Sequence, residues 1–436
     1  MNQTEFSNRR KRLMQLMGKG SIAILPTAPV TIRNRDVEHR YRPDSDFFYL
    51  TGFAEPEAVA VLIPKRKHGE YILFCRERDP AMETWVGPRA GLEGAHRDYG
   101  ADDAFPITDI AEILPGLLEN RDRVFYTMGC NPAFDQQIIG WVNGIREKAR
   151  SGVSTPNEFV SLDHLLHDMR LFKSRQEVST MRKAAKIAAT AHIRAMQKCK
   201  PDMSENEIEA EILHYFRSNN CTEAYPSIVG GGANACILHY IDNKERLKDG
   251  DLLLIDAGAE KDYYASDITR TFPVNGKYSQ EQKAIYNLVL QAQEAAIKQV
   301  KPGNHWNDPH NAAVKVITRG LVKLGILKGD VRKLIKDGAY RRFYMHRTGH
   351  WIGMDVHDVG DYKVGDQWRV LEPGMTLTIE PGIYIPAGSK KVAKKWWNIG
   401  VRIEDDVLVT NSGADVLTKD VPKKISEIEA IMAAAH

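Results

Sequence analysis

The chain has 436 residues, of which 43% are hydrophobic and 27% are charged, and its formal net charge is +3. This composition is ordinary for a globular protein of two or three domains, and so small a net charge gives no reason to expect a nucleic acid or an acidic membrane as partner. No apolar run approaches the roughly 18 residues that a membrane helix needs, and the polar N-terminus does not resemble a signal peptide.

The number and spacing of the cysteines indicate the cellular compartment in which the protein folds. They are odd in number and show no CxxC spacing: Cys75, Cys130, Cys199, Cys221 and Cys236. Free thiols in a reducing cytoplasm are the simplest interpretation of this pattern, so we expect a cytoplasmic protein.

The first part of the chain, residues 1–172, alternates short apolar runs with helical patterns. The runs read SIAILP, AVAVLIP, YILFC and RVFYTMG. Such alternation predicts a mixed α/β domain. The boundary falls near 170–174, where Ser174 and Glu177 form the capping-box pattern of a new helix, so we predict a second domain over 173–436.

The second domain repeats one pattern. Two predicted helices, over 174–198 and from Ser204 onward, precede the strand 250–258, and two more, from Ser279 and over about 307–324, precede 374–382. In both strands an acid lies six positions after one glycine and two before another. A second acid-bearing strand follows each, YYASDITRTF and VRIEDDVLV. This predicts a duplicated helix-helix-hairpin unit that brings its acids to a shared centre.

Five residues of this domain carry the predicted chemistry: Asp256, Asp267, His350, Glu380 and Glu404. An ionised carboxylate is rarely buried unless it is paired or bound to a metal, and no run of arginines accompanies these acids. Two divalent cations would supply the missing charge, which predicts a dinuclear metal hydrolase.

Each acid also has a simpler interpretation. Asp256 and Asp267 lie eleven positions apart, as two antiparallel strands with a short turn allow, yet each alone is also a good turn or cap residue. Glu404 begins an acidic run, but its apolar neighbours alternate as in a strand. That strand would place Arg402 on the same face as Glu404, as a partner of a ligand or a clamp for the substrate.

The histidines are less certain candidates, because a lone histidine is more often structural than catalytic. His346, His350 and His357 recur at spacings of four and seven, which favours His350 as a ligand and His357 as a proton carrier or oxyanion partner. His346 would support a ligand or substrate. His239, after a glycine loop, is a weaker candidate for catalysis.

The predicted ligands narrow the metal and the reaction. Carboxylates with one imidazole suit Mn²⁺, Co²⁺, Fe²⁺ or Zn²⁺. Two such ions about 3.5–4 Å apart would hold a bridging hydroxide at neutral pH. This predicts hydrolysis of a carbonyl or phosphoryl centre, with Glu380 as the proton shuttle.

Several strings closely resemble one known family. LIDAG, SDITRTFPV, HRTGHWIGMDVHD, TIEPGIY and VRIEDD resemble the pita-bread metallopeptidases, which include prolidase and creatinase, and within them bacterial aminopeptidase P, or Xaa-Pro aminopeptidase. The resemblance extends to the N-terminal half through TIRNRDVEHRYRPDSDFFYLTGF, METWVG and HDMRLFKS. It implies an N-terminal creatinase-like mixed α/β domain followed by a pita-bread α+β catalytic domain.

The resemblance also implies roles. Asp256, Asp267, His350, Glu380 and Glu404 would bind two Mn²⁺. The remaining site residues would contact the peptide, around the scissile bond or in a proline-side pocket: His239, His357, His346 and Arg402. The reaction would release the N-terminal residue of a peptide whose second residue is proline.

The resemblance further implies a homo-oligomer, a dimer or tetramer, in which an N-terminal loop closes a neighbour's active site. Trp85 is the residue we would place there, with plain packing as the alternative. Two departures from the family pattern are Arg347-Thr348, where small residues are common, and a basic loop at 389–397. We expect the loop to be a solvated surface.

Two other functions stay open. Prolidase would share all five metal ligands but cleave Xaa-Pro dipeptides, and a pita-bread binding module would have lost catalysis. Such modules lose metal ligands, whereas this sequence keeps all five positions.

Overall fold

The computed structural model describes residues 2–435, which fall into two compact units, Met1–Met169 and Arg170–His436. The division lies within one helix, close to the domain boundary that the sequence predicts. Among the described residues, no helix combines the length and the apolar character that crossing a membrane requires.

The N-terminal unit is a mixed α/β structure. Its helices are α1 Gln3–Met17, α2 Ser45–Thr51, α3 Pro80–Val86, α4 Gly91–Arg97, α5 Ile110–Leu118, α6 Pro132–Glu147 and α7 Asp163–Leu171, which ends in the next unit. Its strands are β1 Ser21–Pro26, β2 Ile32–Asn34, β3 Val37–Glu38, β4 Val59–Leu62, β5 Tyr71–Cys75, β6 Asp103–Pro106, β7 Arg123–Phe125 and β8 Glu158–Val160.

Six of these strands form one mixed sheet in the order β6-β5-β4-β1-β7-β8. The four apolar runs noted in the sequence supply β1, β4, β5 and β7, so these strand predictions are confirmed. Their side chains are buried against the apolar faces of α5 and α6, as in other α/β layers.

The C-terminal unit contains the predicted pairs of helices. Its helices are α8 Arg175–Lys198, α9 Glu205–Ser218, α10 Gln280–Ile297, α11 Asp308–Lys323, α12 Val331–Lys336 and α13 Ile425–Ala433. Capping boxes form at the starts of α8, α9 and α10, the first of them at the predicted Ser174–Glu177 pattern. In the first, Ser174 N donates to Glu177 Oε2 at 2.8 Å and Glu177 N donates to Ser174 Oγ at 3.3 Å.

The strands of this unit form small antiparallel sheets: β10-β11-β14, β13-β12-β9, β17-β20-β21, β18-β19 and β15-β16. Their bounds are β9 Thr222–Glu223, β10 Ile228–Gly231, β11 Leu252–Asp256, β12 Ala259–Lys261, β13 Tyr264–Ala265, β14 Thr269–Pro273, β15 Lys363–Val364, β16 Gln367–Trp368, β17 Thr376–Ile379, β18 Gly382–Ile385, β19 Ile399–Arg402, β20 Asp405–Thr410 and β21 Gly413–Val416. Helices α8 and α9 precede the β11–β14 pair, and α10 and α11 precede the β17–β20 pair. The predicted duplication and the α/β fold class are therefore confirmed.

The structure corrects one detail of the two acid-bearing strands. Neither runs unbroken: Asp267 lies between β13 and β14, and Glu404 lies between β19 and β20. At the first break Asp267 N donates to the side chain of Asp406, and at the second Glu404 N donates to Thr269 O, so both backbones leave the regular ladder. Alternation of apolar residues predicts a strand, but it carries no information on such side-chain competitors.

Candidate metal centre

The hairpin of β11 and β14 brings the first two acids together. Asp256 at the end of β11 lies opposite Thr269 on β14, and Asp267 lies two residues before β14 begins. The Tyr225 hydroxyl lies 2.6 Å from Asp256 Oδ1 and 2.5 Å from Asp267 Oδ1. Because one hydroxyl has one hydrogen to donate, Tyr225 links two carboxylates that it cannot fully neutralise.

The second half adds an imidazole and a buried carboxylate. Asp267, His350 and Glu404 each place one ligand atom within 4.8 Å of the other two. His350 Nε2 lies 3.4 Å from Asp267 Oδ2, and its Nδ1 lies 2.9 Å from Trp351 O. The Trp351 carbonyl accepts a hydrogen bond from His350 Nδ1, which turns Nε2 toward the acids, as in metal-binding histidines.

Glu380 joins this group from the end of β17. Its backbone N donates to Thr348 O at 2.8 Å. Its carboxylate lies between two histidines, with Oε1 3.9 Å from His350 Nε2 and Oε2 3.6 Å from His346 Nδ1. All five predicted ligands thus belong to one connected group. Asp256 is linked to it through Tyr225, whereas Asp267 and Glu380 lie directly beside the His350 ring.

The acids lack sufficient positive charge. Burial raises the pKa of Glu380 to about 7, although nearby positive charges oppose the shift. Burial and the charge of Asp267 raise the pKa of Glu404 well above its usual range, and burial raises the pKa of Asp256 despite Arg402. Buried oxygens that the protein leaves short of positive charge are the donors that divalent cations prefer, so this donor set fits such ions.

The pKa of His350 also reflects the shortage of positive charge around the acids. Burial lowers its pKa, but the hydrogen bond to Asp267 and the charge of Glu380 outweigh burial and raise the pKa to about 9. A proton on His350 therefore substitutes for part of the positive charge that a metal would supply.

Arg402 is the central cation of the site and is almost completely buried. Its Nη2 donates to Asp256 Oδ2 at 2.6 Å, its Nη1 to the Tyr384 hydroxyl at 2.9 Å and its Nε to Thr269 Oγ1 at 3.0 Å. Thr269 Oγ1 in turn donates to Glu404 Oε2 at 2.5 Å. Arg402 and Glu404 therefore point to the same side of the chain, as the alternating pattern predicts.

The remaining histidines surround this group. His346 Nε2 lies 2.9 Å from the Tyr384 hydroxyl, and burial together with the Arg402 charge lowers the pKa of His346 to about 3. The His357 ring centroid lies 4.3 Å from that of His350. Burial and the His350 charge lower the pKa of His357, and His239 is exposed.

Sequence reasoning missed four residues that hold the ligands in place: Tyr225, Thr269, Tyr384 and Asp406. Thr269 and Tyr384 lie within SDITRT and EPGIY, close to acids already chosen, so proximity in sequence was an available signal. Tyr225 lies 31 positions before Asp256 and in no motif, and only the fold reveals its contact.

Comparison with known proteins agrees with this geometry. The model of metallopeptidase family M24 matches residues 179–411, and that of the aminopeptidase P N-terminal domain matches residues 6–126. The chain belongs to family M24. All five predicted metal ligands lie within the matched M24 segment.

Individual M24 relatives match along their whole length. The Xaa-Pro aminopeptidase of Escherichia coli is 45% identical, with 100% of this chain and 99% of the relative covered. That of Haemophilus influenzae is 45% identical over 98% of this chain and 97% of the relative. The structure of Pseudomonas aeruginosa aminopeptidase PepP superposes with a TM-score of 0.99 at 63% identity, covering 100% of this chain and 99% of that one.

Proposed function

We propose that this chain is a metal-dependent aminopeptidase that releases the N-terminal residue from peptides with proline in the second position. The observation that carries the proposal is the mostly buried group of four carboxylates and His350 inside the M24 segment. Its support is the full-length similarity to Xaa-Pro aminopeptidases and to a solved E. coli aminopeptidase P in complex with substrate.

The cofactor we propose is a pair of Mn²⁺ ions held by Asp256, Asp267, His350, Glu380 and Glu404. Co²⁺, Zn²⁺ and Fe²⁺ suit the same oxygen-rich donors, and an E. coli relative has been solved with Zn substituted. When bound, the ions would supply positive charge for the acids and lower the pKa of a water molecule enough for it to attack a carbonyl.

The chain's own residues would handle the proton. Glu380 lies between His346 and His350, beside the other candidate ligands. A carboxylate in this position can take a proton from the attacking water and deliver it to the departing proline nitrogen. We therefore assign general acid–base catalysis to Glu380.

The residues beside the ligands would bind the peptide. His357 contacts the His350 ring, so we assign it to the peptide groups flanking the scissile bond, and we assign exposed His239 to the same groups. His346 and Arg402 share the Tyr384 hydroxyl, and we assign this cluster to the proline side. Proline has no N–H and a fixed φ, so a dedicated pocket can recognise its ring by shape.

We also propose that the protein acts in the cytoplasm as a homo-oligomer. The location is supported by the five cysteines, which are all reduced thiols. The exposed Trp85 of α3 supports self-association.

Product analysis tests the activity. The protein, stripped of metal and reloaded with Mn²⁺, is given Xaa-Pro-Yaa tripeptides and Xaa-Pro dipeptides in parallel, and free Xaa is quantified. We expect faster release from the tripeptide and no release by Asp267→Ala, with Asp415→Asn as a matched control outside the site. Cleavage of the dipeptide alone would instead establish a prolidase. A metal-loaded protein that cleaves neither substrate would contradict the proposal and favour a non-catalytic M24 module.

A further inference from the structure

The segment 351–358 links His350 to His357 and is anchored at its first end to β17. His350 N donates to Thr378 Oγ1 at 3.1 Å, and Thr378 N donates back to His350 O at 2.9 Å. Two positions later, Ile352 N donates to Thr376 O at 3.2 Å. These bonds fix the start of the segment relative to the strand that leads to Glu380.

The other end is anchored by a buried ionic cluster. Asp358 Oδ1 accepts from Arg170 Nη2 at 2.6 Å, and Asp358 Oδ2 accepts from Lys173 Nζ at 2.9 Å. The side chains of Asp358 and Lys173 are each only 1% exposed. Asp358 N also donates to Trp351 O at 2.9 Å, which closes the segment into a loop. A carboxylate that is paired with two cations and excluded from solvent is held in a fixed position.

The loop has no room to shift around this cluster. A Cβ added to Gly353 would lie 2.1 Å from Asp358 Oδ2 and 2.8 Å from Lys173 Cε, so the backbone packs directly on the ion pair. Burial alone would raise the pKa of Asp358, but Lys173 and Arg170 lower it below its ordinary value, so the carboxylate stays ionised.

His357 depends on this backbone for its position. Within residues 2–435 no hydrogen bond holds its ring, whose nearest aromatic neighbour is His350 at 4.3 Å between centroids. His357 is exposed, so the backbone that carries it sets which part of the candidate metal centre its ring can reach, and the next residue is the anchored Asp358.

We propose that Asp358, clamped by Arg170 and Lys173, is a positioning residue that holds His357 in the geometry the reaction requires. The inference rests on the proposed function, in which His357 contacts the peptide. It adds a specific dependence: the catalytic contribution of His357 requires the buried ion cluster on the far side of the loop. Misplacing a substrate-contacting group by about 1 Å can lower the rate about 100-fold.

The test is a double-mutant cycle on the full-length, Mn²⁺-loaded protein with an Xaa-Pro-Yaa tripeptide. Asp358→Asn keeps the shape and removes the charge. We expect it to lower kcat by about 10-fold or more in the wild-type background but by less than about 3-fold beside His357→Ala, because a histidine that is absent cannot be misplaced. A merely structural anchor would cost the same factor in both backgrounds and would overturn the inference.

Two further variants keep the result interpretable. Lys173→Gln removes one cation while Arg170 still holds Asp358, so it replaces Asp358→Asn in the cycle if that variant does not fold. We expect it to lower kcat by a smaller factor, again only when His357 is present. Asp415→Asn removes the partner of Arg182 elsewhere in the unit and should leave kcat unchanged.

The outcomes separate the two proposals. A wild-type protein that releases no Xaa contradicts the proposed function and the inference with it. An active wild type in which Asp358→Asn retains full kcat overturns the inference alone, whereas full kcat in His357→Ala overturns it together with the peptide-binding role assigned to His357.

Discussion

His350 couples proton binding to metal binding. In the metal-free protein its pKa is raised from 6.5 to about 9, so the folded state keeps a proton that the unfolded state releases above about pH 6.5. The stabilisation is fully present below pH 6.5 and is lost as the pH rises through 9. We therefore expect the melting temperature of the chelated protein to fall between pH 7 and 9.

Added Mn²⁺ should reverse this trend, because ligands must lose their protons before they bind metal and binding therefore strengthens as the pH rises. Thermal unfolding with EDTA or with Mn²⁺ at pH 7, 8 and 9 measures both effects. His350→Gln should flatten the metal-free profile over the same range. A chelated wild type whose melting temperature rises with pH would contradict this account.

Tyr225 gives a second prediction at the scale of one residue. Tyr225→Phe removes the hydroxyl shared by Asp256 and Asp267 while keeping the ring. Residues that orient metal ligands typically contribute 10–100-fold to affinity, so we expect Mn²⁺ to bind at least about 10-fold more weakly in calorimetric titration. The control is Tyr215→Phe on α9, because the Tyr215 ring packs against Arg194 and not against these acids. Equal affinities for wild type and Tyr225→Phe would show that the hydroxyl does not orient the ligands.

At the scale of the element, a close approach of two backbones occurs beside a candidate ligand in each half of the C-terminal unit. Gly258 follows Asp256 by two positions, and a Cβ there would lie 1.8 Å from Ser266 O. Gly349 precedes His350, and a Cβ there would lie 1.9 Å from Thr378 O. In both halves a glycine lets two backbones approach closely beside a candidate ligand.

Gly349→Ala should therefore disturb His350 and β17 together. The clashing atom is a backbone oxygen, which cannot move without its strand, so we expect a loss of about 1–3 kcal/mol in the free energy of unfolding and much weaker Mn²⁺ binding. Denaturant unfolding and metal titration measure the two effects. Gly140→Ala on α6, where an added Cβ meets nothing within 4 Å, should leave Mn²⁺ binding unchanged and should not lower the free energy of unfolding, because alanine favours a helix more than glycine does. If Gly349→Ala matches wild type in both measurements, the close approach is unimportant.

Elements were predicted where local rules decide them. The capping boxes of Ser174, Ser204 and Ser279 and the apolar runs of the first sheet depend on neighbours a few positions apart, and all form. The strand breaks at Asp267 and Glu404 depend on partners more than 100 positions away, such as Asp406 for Asp267 N. A single sequence without its fold carries no signal for such contacts.

At the scale of the whole molecule, the candidate metal ligands were predictable because the duplication is visible in the sequence. The repeated glycine–acid spacing pairs Asp256 with Glu380, and the following strands pair Asp267 with Glu404. Tyr225 has no counterpart in this repeat and was missed. Symmetry thus predicts the candidate ligands, whereas Tyr225, which links two of them, belongs to one half only.

Self-association is the last prediction at this scale, and it concerns α3. Trp85 is 83% exposed, and Val86 and Met82 beside it are also exposed, although so large an apolar side chain is usually covered. Trp85→Ala should weaken the oligomer by about 10-fold or more, since a buried tryptophan is often the residue that dominates an interface. Sedimentation velocity across a range of concentrations measures this, and tripeptide turnover should fall in parallel if the loop closes a neighbour's site. Met128→Ala, another exposed apolar residue of the same unit, should leave both unchanged. A wild type that stays monomeric at every concentration would show that Trp85 serves another purpose.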